Sequence, residues 1–372
     1  MKWGIRLNLL FLPTVKRLSM GIERRNRLMV FPRVGKWVII LVSVGFIAAG
    51  IRAFQLYGYI FENNVKHTGF VYIPDDATYN QVIDSLKAGD FLANYKSIKW
   101  VANKKKYPDL IKPGAYKLEK NWSNNKLIDV LRSGAQAPIK VTFNNIRFRK
   151  DLAARLSHYL EADSTAFLKE LTDTAVARKY GFTYASFPAM FIPNTYEFYW
   201  TTTPVEFVDR IKQEFDRFWT DERKKKAEAA GLTPVQATTL ASIVQEETVK
   251  PDEMHKIAGV YINRLKRGWR LQADPTVKFA VGDFSIKRIL NQHLEIESPY
   301  NTYKYKGLPP GPINFPNPKS IEAVLNYEKS NYLYFCAKED FSGYHNFSRT
   351  LREHNRNAAR YQRALNKNRI FK

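Results

Sequence analysis

The feature that most constrains this chain is the uninterrupted apolar run WVIILVSVGFIAAGI, Trp37 to Ile51, standing directly behind a basic leader. Residues 1–36 hold Lys2, Arg6, Lys16, Arg17, Arg24, Arg25, Arg27, Arg33 and Lys36 against Glu23 alone, a net of +8. A helix needs ~20 apolar residues to cross a bilayer. The run is shorter than that, but Val34 and Gly35 before it and AFQLYGYIF after Arg52 extend it. Arg52 can snorkel, and Trp37, Tyr57 and Tyr59 suit the membrane–water interface. Basic residues before the apolar run keep the amino terminus on the cytoplasmic side. The expectation is a cytoplasmic leader over 1–36, a single-pass transmembrane helix over 37–60 of the cytoplasmic (inner) membrane, and a folded portion on its outer, periplasmic side. A cleaved signal peptide is the competing reading, but the leader is long for one and no small-x-small site follows Ile51.

The rest of the chain carries enough apolar material to fold. Of 372 residues, 45% are hydrophobic and 14% aromatic, sufficient for one or two cores and too apolar for a disordered chain. The formal net charge is +24, so +16 remains once the leader is removed, which favours an anionic partner. Outside a membrane, nucleic acid is the poorer candidate, and no zinc-finger spacing or Gly-rich phosphate loop accompanies the basic runs Lys104–Lys106 and Arg223–Lys226. A membrane surface or an acidic wall polymer fits equally well. The lone Cys336, in NYLYFCAKED, reads as part of a buried strand.

Residues 69–136 read as a small alternating α/β unit. GFVYI opens it as a strand and a helix begins near Thr78; IKPGAYKL gives a second strand and a second helix begins near Ser123 and ends at Gly134. About nine residues separate it from the apolar helix, a reach of only ~30 Å when extended. AQAPIK, 135–140, is the junction to a larger mixed α+β unit over 141–372, helical from Val141 to about Leu171 and then mixed. The fold class expected is α+β.

Within the larger unit, Thr233–Pro234 is a helix start and PVQATTLASIVQEET the helix. At about 100° per residue, Ala237, Leu240, Ala241, Val244 and Thr248 cluster on one side, and Gln236, Thr239, Ser242 and Glu246 on the other. The adjacent glutamates therefore face differently: Glu247 lies at the edge of the apolar side, Glu246 in the polar stripe. A carboxyl half withdrawn from water holds its proton longer, which favours Glu247 as the acid. Pairing of Glu247 with Arg264 or Lys266 is the bland alternative. The segments that follow, VYINRLKRGWRLQADPTVKFAVGD and SPYNTYKYKGLPPGPINFPNP, combine amides, carboxylates and aromatic rings in loop-like sequence, as a glycan groove requires.

LASIVQEET, VYINRL, RLQADPTV, YNTYKYKGLPPGPI and HNFSRTLREHN, in that order, resemble the MltG/YceG-like endolytic murein transglycosylases over about residues 69–365. The resemblance implies an anchor, a LysM-like subdomain over 69–136 and a YceG-like catalytic domain over 141–372. It also implies cleavage of the β-1,4 bond between N-acetylmuramic acid and N-acetylglucosamine to give 1,6-anhydro ends. The family's catalytic glutamate falls on Glu247, and Gln245 and Glu246 depart from relatives that often carry glutamate and lysine there. Gln272, Asp274, Asn301, Thr302 and Tyr303 are expected to position the sugar, with Asn194 and Tyr196 of IPNTYEF on the same groove. For Asp274 a turn cap is the alternative, and for Tyr196 a place in the core. Gly307 and Gly311 shape a rigid loop. Neither a metal nor another cofactor is expected: His345 and His354 stand near the last motif, but no ligand spacing such as H-E-x-x-H occurs. The partners implied are peptidoglycan strands, the cytoplasmic membrane and peptidoglycan synthases. Two rivals remain: a non-catalytic wall-binding scaffold, and a hydrolase with a second carboxylate, for which Asp274 is the candidate.

Overall fold

The computed structural model describes residues 33–286 and 289–368. The expected leader therefore lies almost wholly outside the described residues. Helix α1, Arg33–Phe61, contains a stretch from Gly35 to Phe61 long and apolar enough to cross a membrane, with mean hydropathy 2.1. Its apolar side chains, from Trp37 through Phe54, are exposed. The chain divides into two compact units, the first ending at Gly58 and the second running from Tyr59.

The second unit is a mixed α+β structure with two apolar cores. The first core belongs to strand β1, Gly69–Ile73, helices α2, Tyr79–Ala88, and α3, Tyr95–Lys104, strand β2, Gly114–Leu118, and helix α4, Asn124–Ser133. β1 and β2 pair antiparallel with Val71 opposite Tyr116. Both expected helix starts are real caps, Thr78 accepting from the Gln81 amide and Ser123 from the Lys126 amide. Helix α3, capped by Asn94, had no place in the two-fold sequence pattern.

The nine-residue linker is a second difference. Asn64 is buried: its side chain donates to Asn124 Oδ1 at 2.7 Å and accepts from the Asn94 amide at 2.7 Å. The amides of Asn64 and Val65 both donate to the Trp122 carbonyl. Packing thus begins at Asn64, ahead of the first strand at Gly69, because an asparagine can satisfy several polar groups at once.

The larger core starts with a strand where the pattern had suggested helix. Ile139–Phe143, β3, pairs antiparallel with β4, Asn194–Phe198, placing Val141 opposite Tyr196. IKVTF alternates inward and outward side chains and contains three β-branched residues, a period-two signal overridden by the helical pattern beyond it. Helices α5, Arg149–Ser157, α6, Ser164–Thr172, and α7, Thr174–Lys179, follow β3; α8, Pro204–Phe218, and α9, Asp221–Ala229, follow β4.

At the centre stands α10, Pro234–Glu247, opened by a capping box in which Thr233 and Gln236 satisfy each other's amides. Every residue from Ala237 to Val244 is buried. The expected polar stripe is therefore a packed face. The Thr239 hydroxyl donates to the Val235 carbonyl, and that of Ser242 donates to the Thr239 carbonyl while accepting from the Ile313 amide at 3.0 Å.

Around it lie α11, Met254–Lys266, α12, Asp274–Val281, the short α13, Asn291–Leu294, and α14, Pro318–Leu325. A hairpin of β5, Tyr334–Ala337, and β6, His345–Ser348, leads into α15, Leu351–Lys367. Cys336 lies half-buried on β5.

Candidate active site

Three consecutive side chains at the end of α10 take three separate directions. The Gln245 oxygen accepts from the backbone and side-chain nitrogens of Asn317 and from the Ser320 hydroxyl, tying the helix to the start of α14. An acceptor is all this position needs, which explains how glutamine serves there. Glu246 is exposed, paired with Arg147 at 2.9 Å and accepting from Asn314 at 2.7 Å. Glu247 turns into a cleft of about 340 Å³.

That cleft has four walls. Tyr261 and Arg264 come from one face of α11, three residues apart; Gln272 and Asp274 from the loop into α12; Tyr303 from the tyrosine-rich loop; and Tyr334, Phe335, Leu351 and His354 from β5 and the first turn of α15. Glu247 has no ion-pair partner among the described residues, so the bland alternative fails. Arg264 instead donates to the carbonyls of Leu333 at 2.7 Å and Leu271 at 2.6 Å, fastening two walls together, and Lys266 reaches the Tyr327 hydroxyl.

The Glu247 carboxyl is raised from 4.5 to about 7. Burial is the main cause; the negative charge of Asp274 adds to it, while the hydrogen bond from Tyr261 and the charges of Arg264 and Lys278 oppose it. Glu247 is also the last residue of its helix, where the negative end of the helix dipole further disfavours a carboxylate. The Tyr261 hydroxyl donates to Glu247 Oε1 at 2.5 Å, and burial holds its own pKa far above the ordinary phenol value. With Oε1 accepting from a phenol, the proton of the neutral acid belongs on Oε2.

The structure brings Gln272, Asp274 and Tyr303 to this cleft beside Glu247. Asp274 does not cap a turn: it opens α12 with its carboxylate accepting from the Tyr303 hydroxyl at 2.6 Å. Asn301 and Thr302 have a different task. Asn301 is fully buried, donating to the Leu294 and Ile296 carbonyls and accepting from the Tyr303 amide. The Thr302 hydroxyl accepts from the Ala273 amide and bonds to the Thr276 hydroxyl, while its carbonyl accepts from the Gln272 amide. Both hold the two loops together and leave little to offer a sugar. Asn194 and Tyr196 lie on β4 and do not line the cleft: Tyr196 is in the core with its hydroxyl on the Ile192 carbonyl, and Asn194 is exposed with its side chain on the next amide.

Residues 71–360 match the family described as YceG-like. This chain belongs to the YceG-like family. An endolytic murein transglycosylase of Bacillus subtilis (strain 168) is 30% identical to it over 315 residues, 81% of this chain and 86% of that protein. One from Streptococcus pneumoniae (strain D39) is 27% identical over 332 residues, 80% of this chain and 59% of that longer protein. The crystal structure of a YceG-like protein from Listeria monocytogenes, 26% identical, superposes with a TM-score of 0.50, covering 78% of this chain and 99% of that one.

In this YceG-like chain, sequence reasoning missed Tyr261, Tyr334, Phe335 and Leu351 as cleft residues and weighed His354 only as a metal ligand. Tyr261 lies in VYINRL, so its motif was visible. Its direction was not, since nothing in a helical pattern tells a core tyrosine from one whose hydroxyl reaches a carboxylate fourteen residues away.

Proposed function

We propose that this chain is an endolytic peptidoglycan lytic transglycosylase that cleaves the MurNAc-β-1,4-GlcNAc bond, with Glu247 as acid and then base. The observation that carries the reading is the Glu247 carboxyl, with its pKa raised to about 7, in a cleft it shares with aromatic rings, Arg264, Gln272 and Asp274. Family membership and the relatives' printed names agree with it. Neutral Glu247 donates its Oε2 proton to the leaving glycosidic oxygen as the C1–O bond breaks. The muramyl C6 hydroxyl then closes on C1, and the Glu247 carboxylate takes its proton, leaving a 1,6-anhydro end and the original acid. No water is consumed and no second carboxylate is required. Gln272, Asp274 and Tyr303 position the sugar.

We further infer that α1 anchors the chain in the cytoplasmic membrane, amino terminus inside, and that the 69–136 unit is LysM-like. Cutting then occurs near the membrane, on strands as they are made beside their synthases, so that the enzyme terminates nascent glycan. The length and apolarity of Gly35–Phe61 and the basic leader support this.

A hydrolase is the second reading, because Asp274 shares the cleft and its charge raises the Glu247 pKa. Mass spectrometry of muropeptides released from purified peptidoglycan by the detergent-solubilised chain, beside Glu247→Gln, decides between them. Internal fragments with 1,6-anhydromuramyl ends, lost with Glu247→Gln, are expected. Reducing ends would establish the hydrolase, and binding without any cleavage a scaffold.

A further inference from the structure

A second cleft, of about 780 Å³, lies in the seam between the two cores and shares no residue with the Glu247 cleft. Its volume falls in the ~300–1,000 Å³ range of small-molecule sites. Phe70 and Tyr72 reach it from the outward face of β1, Lys140 from β3, His158 and Tyr159 from just beyond α5, and Trp200 from just beyond β4. Phe70, Tyr72 and Trp200 belong to neither core, with Tyr72 43% exposed, while Tyr159 packs partly against the larger one. Five rings left partly open around one cleft form the kind of apolar patch that marks a binding surface.

The arrangement favours a carbohydrate over an apolar protein segment. Tyr72 and Trp200 stand in contact, ring centroids 5.3 Å apart and planes tilted by 58°, making one continuous angled platform on which the face of a sugar can lie. Phe70 stacks beside Tyr72, centroids 6.2 Å apart. Among the described residues, the hydroxyls of Tyr72 and Tyr159, the Trp200 indole N–H, the His158 ring nitrogens and the Lys140 ammonium have no hydrogen-bond or ion-pair partner. Apolar faces with free polar tips match a pyranose, which has C–H faces and a hydroxyl rim. The unpaired ammonium of Lys140 complements the carboxylates on the lactyl-peptide branches of a peptidoglycan strand.

We propose that this seam is a second glycan-holding subsite, stacking one sugar of the strand on the platform formed by Tyr72 and Trp200 and meeting its peptide branch at Lys140. The inference rests on the peptidoglycan reading above. Because its residues come from both cores, binding there also clamps the small unit to the larger one.

The test uses the full chain in detergent with Glu247→Gln present, so that strands are bound without being cut. Two probes are compared: peptide-bearing glycan strands and the same strands stripped of peptides by an amidase. Tyr72→Ala and Trp200→Ala are each expected to weaken binding of both probes about 3- to 10-fold. Trp200→Phe is expected to bind within about 2-fold of its parent, and Lys140→Ala to weaken the peptide-bearing strands more than the stripped ones, which keep only the lactyl carboxylate. Thermal melting checks each variant; should Trp200→Ala not fold, Tyr72→Ala decides by itself. Folded alanine variants that bind both probes like their parent overturn the proposal, as does loss of binding to phospholipid vesicles instead of strands. Cleavage is assayed in parallel with Glu247 intact. Cleavage together with ring-independent binding overturns the subsite alone, whereas ring-dependent binding without cleavage supports the subsite and removes the transglycosylase reading.

Discussion

Tyr261 and Glu247, on successive long helices, meet through a 2.5 Å hydrogen bond from phenol to carboxyl inside the cleft. The bond does two things at once. It fixes which oxygen of Glu247 is free to carry the proton, and it lowers a pKa that burial raises. Tyr261→Phe keeps the ring that packs edge-on to Phe335 and removes only the donor. A hydrogen bond to a charged group contributes about 1.5–3 kcal/mol, so the expected result is a kcat lower by about 10- to 100-fold, little change in KM, and a higher pH for the alkaline limb. Tyr261→Phe with unaltered kcat and pH profile would remove Tyr261 from the positioning of the acid.

The raised acid sets the pH dependence. In the proposed mechanism the general acid Glu247 must be protonated in the free enzyme, so kcat/KM is expected to fall as pH rises through about 7. Stability follows the same sign. The folded pKa is raised above the unfolded value, so ionisation destabilises the fold progressively from about pH 4.5 to about 7, by up to about 3 kcal/mol above that range. Glu247→Gln removes the penalty. Its melting temperature is therefore expected to exceed the parent's at pH 8 and to match it at pH 4, and an equal difference at both pH values would mean that the carboxyl is not raised.

How far the sequence disclosed this site depended on whether direction could be read as well as residue type. Glu247 was legible because its place on a capped helix and its place in a motif pointed the same way. Asn301, Thr302 and Tyr303 are adjacent and equally polar, yet the first two bind backbone between loops and only the third reaches the cleft. A tripeptide in a loop carries no period from which to deduce that. Tyr196 shows the same limit in a strand: its inward position follows from pairing with Val141, a partner that stays hidden until β3 is recognised as a strand. The packing of Asn64 was invisible because it depends on the Asn94 amide and the Asn124 side chain, distant in sequence, whereas α3 had a local start, the Asn94 cap, that the two-fold pattern passed over.

Gln272 lies in the cleft wall with φ of +51°, a left-handed backbone unusual for a residue with a side chain. Such strain costs about 1–3 kcal/mol and persists only where neighbours impose it. Thr302 does so here by accepting from the Gln272 amide. Gln272→Gly relieves the backbone while deleting the carboxamide. The expected variant is at least as stable as the parent and has a KM raised about 3- to 10-fold by loss of one sugar contact; a steady-state assay beside a thermal melt separates the two effects. Unchanged KM would reduce Gln272 to a structural residue.

Gly307 and Gly311 share the GLPPGPI loop but are required for different reasons. Gly307 has φ of +84° with open space around it, so Gly307→Ala meets only backbone strain, about 1 kcal/mol. A Cβ on Gly311 would lie 1.9 Å from the Ala185 carbonyl oxygen and 2.5 Å from its carbon, atoms of backbone that cannot rotate away. The loop must then shift, and it is the loop that supports α10 through the Ile313 amide on Ser242 and Asn314 on Glu246. Gly311→Ala is accordingly expected to cost about 1–3 kcal/mol more than Gly307→Ala. It should also lower kcat, because movement of that loop disturbs the end of the helix that carries Glu247. Thermal melts and turnover measured on the pair test this, and equal losses of stability with equal kcat would show that the Gly311 approach to Ala185 has no part in holding the acid.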